Sequence, residues 1–149
     1  MTVTQGGPVR RSGPRDAERQ PGPADPVRAI MSRRPHSVPP EASLREAARE
    51  LADNEIGAVL VETSGGPVGL VSERDVVAAV AAGEDPEDRQ VADVMTTDLV
   101  TARPADPVAA VAALIREAGV RHVPVLDGAR VVGIVSVRDV LTVLLRGRS

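Results

Sequence analysis

Apolar residues recur along the chain at two spacings, one typical of helices and one typical of strands. The helical spacing i, i+3, i+4, i+7 occurs twice, and residues that favour helix ends accompany both occurrences. Ser43-Leu44-Arg45-Glu46 has the form of a capping box, while Pro107 suits the first turn of the later helix and Gly119 suits its exit. Two amphipathic helices are therefore predicted. Their apolar positions are Leu44, Ala47, Ala48 and Leu51 in the first helix, and Val108, Val111, Ala112 and Ile115 in the second.

Valine-rich runs separated by glycine-containing turns predict two β-hairpins. A strongly apolar helix follows each hairpin, beginning at Ser72 in the first case and at Ser136 in the second. A short extended segment precedes each amphipathic helix, around Ser37-Val38 and around Val100-Thr101. The order β-α-β-β-α therefore occurs twice. The predicted strands of the hairpins are residues 58–61 with 68–71, and residues 123–126 with 131–135.

The two halves of the chain repeat each other at a constant offset of 64 residues, which aligns Met31 with Met95 and Gly69 with Gly133. An ungapped register over about fifty residues indicates two copies of one supersecondary unit. A single copy buries too little apolar surface to be stable alone. We therefore expect an α/β (α+β) fold in which two β-α-β-β-α repeats pack around a pseudo-twofold axis. The predicted segments are a disordered tail at 1–25, a first repeat at 26–83, a linker at 84–90 and a second repeat at 91–149.

Several residue types are missing, and their absence excludes classes of chemistry. The chain has no Cys, Phe, Tyr or Trp, and all 18 basic residues are Arg. Disulfides, thiolate metal sites, cysteine nucleophiles, Schiff-base lysines and a P-loop lysine are therefore excluded. No planar ligand could stack on an aromatic side chain, and any such ligand would have to lie against aliphatic side chains. With only two histidines and no cysteine, we expect no dedicated metal site.

The charge and hydropathy patterns restrict the partners. The net charge is −3, and residues 1–28 carry five of the arginines against three acidic residues. No basic stripe typical of a nucleic-acid-binding protein is present. No stretch approaches the roughly 20 apolar residues that a membrane span needs. We expect a cytoplasmic protein with neither a nucleic-acid nor a membrane partner.

Two ordered motifs occur in both copies and resemble the signature of the cystathionine-β-synthase (CBS) repeat. The first copy reads Ile56-Gly57-Ala58-Val59-Leu60-Val61 and then Gly69-Leu70-Val71-Ser72-Glu73-Arg74-Asp75. The second reads Val120-Arg121-His122-Val123-Pro124-Val125 and then Gly133-Ile134-Val135-Ser136-Val137-Arg138-Asp139. The resemblance covers residues from about 28 to 147 and extends to small bacterial proteins that consist of a CBS pair alone. It implies a regulatory module that binds an adenosine ligand and catalyses nothing. AMP, ADP or ATP would be the commonest ligands, with S-adenosylmethionine or NAD as further candidates.

The resemblance also assigns positions to the ligand, in clefts between the repeats. Asp75 and Asp139 would chelate the ribose, because the two oxygens of a carboxylate can accept hydrogen bonds from adjacent hydroxyls. Near the phosphate, the second copy has Arg121 and His122 where the first has Gly57 and Ala58. The cleft that uses Asp139 is therefore expected to be the stronger. The predicted ligand-binding residues are Ser37, Val38, Ser72, Arg74, Asp75, Thr101, Ala102, Arg121, His122, Ser136, Arg138 and Asp139.

Structural explanations for the same residues stay open at this stage. The Ser-x-x-Asp motifs starting at Ser72 and Ser136 could simply cap the final helices. His122 could be an ordinary strand residue, and His36 is expected to be a solvent-exposed strand entry. A ligand-free dimerisation or scaffold protein is the alternative function, whereas no pairing of a nucleophile with a base supports an enzyme. We also expect a homodimer, because the final helices carry more apolar residues than one inward stripe can bury: Val76, Val77 and Val80 in the first copy, and Leu141, Leu144 and Leu145 in the second.

Overall fold

The computed structural model describes residues 19–33 and 35–146, which form two units of the same mixed α and β architecture. Each unit contains an amphipathic helix, a β-hairpin and a second helix, and each contributes a three-stranded sheet. The expected fold class is thus confirmed. In chain order, the elements are β1 (Ser32–Arg33), β2 (Ser37–Val38), α1 (Leu44–Asn54), β3 (Ala58–Thr63), β4 (Gly66–Ser72), α2 (Glu73–Ala81), α3 (Val108–Ala118), β5 (His122–Asp127), β6 (Arg130–Ser136) and α4 (Val137–Arg146), with short 3-10 helices at Val27–Ala29 and Val91–Asp93.

The helix boundaries follow from local signals in the sequence. At the start of α1, the hydroxyl of Ser43 accepts a hydrogen bond from the Glu46 amide at 3.1 Å, and the Glu46 carboxylate accepts one from the Ser43 amide at 3.0 Å. This is the predicted capping box. At the end of α3, Gly119 adopts a left-handed conformation with φ of 69°, which glycine reaches without steric cost. Leu44, Ala47 and Leu51 face inward from α1, as their spacing predicts.

The hairpins form the centre of both sheets. Strands β3 and β4 pair antiparallel, as do β5 and β6, so that the strand orders are β2-β3-β4 and β1-β6-β5. Strand β2 runs parallel to β3, which places Ser37 beside Leu60. In the second unit the equivalent contact is a single parallel bridge between Ala102 and Val125.

The segment that precedes each unit crosses over to the opposite unit. Strand β1 pairs antiparallel with β6, with Ser32 opposite Ile134. Thr96, which precedes the second unit, makes the reciprocal bridge to Leu70 on β4. Val27 likewise belongs to the core of the second unit, although its sequence position assigns it to the first repeat. The two units are therefore interlocked by exchanged segments.

A shared apolar cluster joins the two sheets. Its buried residues come from both hairpins, and Leu99 and Leu126 pack against its edge. Each unit also has its own core on the helical side of its sheet. In one repeat alone, the sheet face that this cluster covers would be exposed to water, which is unfavourable. The buried members are Ala58, Leu60, Leu70, Val131 and Ile134.

The end of the predicted tail takes part in the fold. Helix α3 has no side-chain cap, and its Val108 and Ala109 amides donate hydrogen bonds to the carbonyls of Asp25 and Pro23, both at 2.9 Å. These carbonyls satisfy amides that a helix start leaves without intrahelical partners. Pro23 and Asp25, which we expected to belong to the disordered tail, thus contact the second unit, whereas residues 1–18 of that expected tail lie outside the described part of the chain.

Two truncations should separate the capping segment from the rest of the tail. Removal of residues 1–18 leaves the two carbonyls in place, and we expect the free energy of unfolding to stay unchanged. Removal of residues 1–25 exposes the α3 amides and should lower it by about 1–2 kcal/mol, the usual effect of losing a helix cap. Urea denaturation of both truncations and the full chain measures the difference. Equal stability of the two truncations would contradict a capping role.

Candidate ligand-binding cleft

A cleft of about 680 Å³ opens between the two units. One wall comes from the segment that leads into β3 and from the start of α2, and the opposite wall comes from the segment that leads into β5 and from the start of α4. The repeated motifs occupy these places, so the pseudo-twofold arrangement brings both copies of the motif to one cavity. Ser32, which precedes the first unit, also lines the cleft.

Seven of the predicted ligand-binding residues meet in this cleft, and five do not line it. Val38 and Ala102 are buried in the cores, and Ser37 and Thr101 are exposed elsewhere. The Ala102 amide donates to the Pro124 carbonyl, and the Ala102 carbonyl accepts from the Leu126 amide, so the sheet already uses both backbone groups. The seven residues in the cleft are Ser72, Arg74, Arg121, His122, Ser136, Arg138 and Asp139; the five outside it are Ser37, Val38, Asp75, Thr101 and Ala102.

The two Ser-x-x-Asp motifs cap the starts of α2 and α4, as the structural explanation of these motifs predicts. The Asp75 carboxylate accepts a hydrogen bond from the Ser72 amide at 2.8 Å, and the Asp139 carboxylate accepts one from the Ser136 amide at 3.0 Å. Each serine hydroxyl accepts in return from the aspartate amide. In both motifs the cap uses only Oδ2. Within the described residues, Oδ1 of Asp139 accepts no hydrogen bond from protein, and Asp139, unlike Asp75, lines the cleft.

His122 of the second unit closely approaches Gly57 of the first unit. Its Nε2 lies 2.9 Å from the point where a Cβ on Gly57 would stand, and Oε1 of Glu73 lies 3.9 Å from the same point. A side chain at position 57 would therefore force the imidazole to shift. The glycine of the first motif therefore admits the histidine of the second.

The surroundings of His122 favour the neutral imidazole. Burial lowers the pKa of His122 below its ordinary value, and the charge of Arg121 lowers it further. The carboxylates of Asp139, Glu73 and Asp75 oppose this lowering without overcoming it. Three carboxylates are thus near enough to one imidazole to affect its protonation.

A pH dependence of stability follows from the lowered pKa. The unfolded chain takes up the proton on His122 first as the pH falls through about 6.5, so the free energy of unfolding should fall with it. The contribution of the neutral His122 imidazole to the free energy of unfolding is therefore present above about pH 6.5 and is lost as the pH falls below it. We expect His122→Gln to flatten this dependence in urea denaturation between about pH 7.5 and about 5.5. His36→Gln is the matched control, and an unchanged slope in His122→Gln would contradict the prediction.

Several cleft residues were missed by sequence reasoning. Glu55 and Glu73 line the cleft, although neither was singled out. His36, which we expected to be a solvent-exposed strand entry, is half-buried, lines the cleft and approaches Glu50 at 3.5 Å. The sequence does contain a signal for the two carboxylates. At the offset of 64 residues, Glu55 aligns with Gly119 and Glu73 aligns with Val137, so each carboxylate occurs in one copy and not in the other.

The model of one protein family, described as the CBS domain, matches this chain twice, at residues 27–82 and 91–146. The chain belongs to the CBS-domain family. The two matches correspond to the two units, each of which supplies one wall of the cleft. The chain is thus a CBS pair, and such pairs are regulatory, ligand-binding modules.

Curated relatives of the CBS pair differ in length. The chain is 27% identical over 113 residues to the CBS domain-containing protein YhcV of Bacillus subtilis, covering 76% of this chain and 81% of the relative. It is 28% identical over 114 residues to inosine-5'-monophosphate dehydrogenase of Nitrosopumilus maritimus, covering 75% of this chain but only 23% of the dehydrogenase. The match to that enzyme therefore concerns a small part of a much longer protein.

Solved structures share the architecture of the pair. The CBS domain pair of protein MJ0100, in complex with 5'-methylthioadenosine and S-adenosyl-L-methionine, is 29% identical with a TM-score of 0.76, covering 85% of this chain and all of that one. The hexameric CBS-CP12 protein from bloom-forming cyanobacteria is also 29% identical, with a TM-score of 0.73, covering 78% of this chain and 69% of that one. Both sequence and architecture are thus shared with CBS proteins.

Two further observations concern the described residues of this CBS pair. None of its helices there combines the length and the apolar character that crossing a bilayer requires. The His, Asp and Glu side chains in the same residues form no group of three that could hold a metal ion.

Proposed function

We propose that this CBS pair is a regulatory module that binds an adenosine-containing ligand in the cleft between its repeats and performs no chemistry on it. The observation that carries the proposal is a cleft of about 680 Å³ lined by Asp139, Arg121 and Arg138, in which Oδ1 of Asp139 and both guanidinium groups make no hydrogen bond or ion pair with any other described residue. Such a cavity is within the size range of small-molecule sites. AMP, ADP, ATP, S-adenosylmethionine and NAD are the ligands to be tested.

The cleft offers a group for each part of an adenosine ligand. Oδ1 of Asp139 can accept a hydrogen bond from a ribose hydroxyl while Oδ2 keeps the helix cap. Arg121 and Arg138 can donate to an anionic group, because a guanidinium presents several donors in a fixed plane. Ile56 and Ile134 provide aliphatic surface for the base. The bound ligand of the MJ0100 pair supports the adenosine assignment by similarity.

An aspartate comparison tests the proposal. Asp139→Asn keeps an acceptor for the Ser136 amide but removes the charge, whereas Asp75→Asn makes the same change in the motif whose aspartate does not line the cleft. Because a hydrogen bond to a charged group contributes about 1.5–3 kcal/mol, we expect Asp139→Asn to weaken adenosine-ligand binding roughly tenfold or more. Asp75→Asn should weaken it less.

The measurement is a thermal-shift panel of the five ligands followed by calorimetry on those that bind, since a ligand that binds only the folded state raises stability. The chain has no Trp, Tyr, Phe or Cys, so an adenine absorbance band that co-elutes with the protein independently reports bound ligand. Equal effects of the two asparagine substitutions would show that Asp139 does not hold the ribose. A flat spectrum with no thermal shift across the panel would favour the ligand-free scaffold.

We further propose that the pair forms a homodimer through the outer faces of α2 and α4. The expectation from sequence needs one correction: Val76 and Leu144 pack partly against the unit cores. Val77, Val80, Leu141 and Leu145 remain exposed, by 66%, 52%, 47% and 64%. The hexameric CBS-CP12 relative supports self-association of such pairs. The ligand could then act by changing the dimer contacts, if the two states bind it with different affinity.

A further inference from the structure

The described residues that line the cleft carry equal numbers of positive and negative charges. Three arginines stand against three carboxylates, so the formal charge of these residues sums to zero when the histidines are neutral. Burial favours the neutral form of His122. Sites for ligands with several negative charges normally supply more cationic donors than carboxylates. The lining charges are those of Arg74, Arg121, Arg138, Glu55, Glu73 and Asp139.

These charged side chains form no ion pairs with one another among the described residues. Within the described residues, the side chains of Glu55, Glu73 and the three arginines make no ion pair and no hydrogen bond with another protein group. Both free carboxylates come from the first unit, whereas Arg121 and Arg138 come from the second. The side formed by the first unit, which also carries Arg74, has a formal charge of −1, and the side formed by the second unit, which also carries Asp139, has a formal charge of +1.

Glu73 lies at the boundary between these two sides. Its Oε1 comes within 3.9 Å of the Gly57 Cβ position that the His122 imidazole also approaches. Glu73 and Asp139 line the cleft together with His122, and the charge of each opposes the lowering of the His122 pKa. The second copy has Val137 at the position of Glu73, and this carboxylate is therefore specific to the first half of the cleft.

Glu55 adds a second carboxylate on the same side, in a strained conformation. It is the one described residue other than glycine with positive φ, at 53°, and its counterpart in the second copy is Gly119 with φ of 69°. Glycine adopts this left-handed conformation without the steric penalty that a side chain brings. Glu55 thus places its carboxylate on the cleft wall despite the steric cost of this conformation.

We propose that Glu73 is a specificity-determining residue, which selects adenosine ligands with a positive charge on the 5' substituent over ligands that carry a polyphosphate there. This inference rests on the proposed function. Asp139, Glu73 and Arg121 line one cavity, so a ligand whose ribose is held by Asp139 would place its 5' substituent in a cleft that carries both charges. A zwitterionic substituent would satisfy both charges, whereas a polyphosphate would bring several negative charges next to Glu73.

Two probes that differ mainly by one charge test the selection by calorimetry. S-adenosylmethionine carries a positive sulfonium, whereas S-adenosylhomocysteine carries a neutral sulfur at the same position. We expect the wild-type protein to bind the first about fivefold more tightly, as a single partly exposed charge contact of about 1 kcal/mol implies. Glu73→Gln should bring the two affinities together and should strengthen ATP binding. Glu41→Gln, an exposed carboxylate outside the cleft, is the matched control and should retain the wild-type preference.

The ratio of the two affinities is the deciding quantity, because it is insensitive to a general loss of affinity in a variant. An unchanged ratio in Glu73→Gln, or equal binding of both probes by the wild type, would overturn the selection by Glu73. If AMP bound and S-adenosylmethionine did not, the selection would likewise be overturned while the proposed function stood. If none of the adenosine probes bound, both proposals would be overturned.

Discussion

Gly133→Ala is expected to lower the free energy of unfolding by about 3 kcal/mol, the upper end of the usual effect of overpacking. A Cβ at this position would lie 2.5 Å from the Met31 sulfur and 2.7 Å from the Ser32 carbonyl oxygen. The flexible methionine can move aside, but the Ser32 carbonyl belongs to β1, which pairs with β6 at this point. The methyl group therefore has to push the exchanged strand away from its sheet.

Two other glycines provide graded controls for this prediction. Gly69 is the equivalent position in the first unit, where a Cβ would lie 2.6 Å from the Met95 sulfur and 3.0 Å from the Thr96 carbonyl oxygen, so we expect a smaller loss. Gly65 has no atom closer than 3.6 Å and no positive φ, and Gly65→Ala should be nearly neutral. Urea denaturation of the three variants measures the loss in the free energy of unfolding for each and ranks the three losses. A neutral Gly133→Ala would show that the exchanged segment contributes little to stability.

Local structure was predictable because it depends on nearby residues. The capping box at Ser43, the glycine exit at Gly119 and the two hairpins all follow from signals within a few positions of each other. The exchange of segments was not predicted. Strand β1 has only two residues, and no periodicity in such a short run indicates which sheet it joins. The aligned glycines at 69 and 133 do mark close contacts, but the sequence does not show that methionines make them.

The candidate site was predicted less completely than the fold. The family motif led to Ser136, Arg138 and Asp139, which do line the cleft, but it also included Asp75, which does not. The comparison of the two copies was made only near the phosphate, at Gly57 and Ala58 against Arg121 and His122, and so it missed Glu55 and Glu73. The end of the tail was misjudged for a related reason: only the folded structure shows that α3 lacks a side-chain cap and uses backbone carbonyls from the segment around residue 25.

The large apolar residues that are exposed in the described part of the chain, Val77, Val80, Leu141 and Leu145, all lie on α2 and α4. The repeat offset aligns Val77 with Leu141, so both helices expose an apolar side chain at this position. In an isologous contact, each protomer would present this same surface to the other. Burial of a Val or Leu side chain stabilises an interface by about 1.5–3 kcal/mol, which gives four such residues per protomer a large combined effect.

The combined substitution Val77→Glu and Leu141→Glu should convert a dimer into a monomer. It removes two apolar side chains from each protomer and places like charges opposite each other, and we expect dimerisation to weaken on the order of a thousandfold or more. Both residues are exposed in the single chain, by 66% and 47%, so the substitutions should leave the fold intact.

Ala110→Glu, which adds a charge at an exposed position near the start of α3, is the matched control and should keep the dimer mass. Light scattering at micromolar concentration measures the mass, with refractive-index detection because the chain lacks aromatic residues. A wild-type protein with monomer mass, or a double variant that stays dimeric, would exclude this face as the dimer interface.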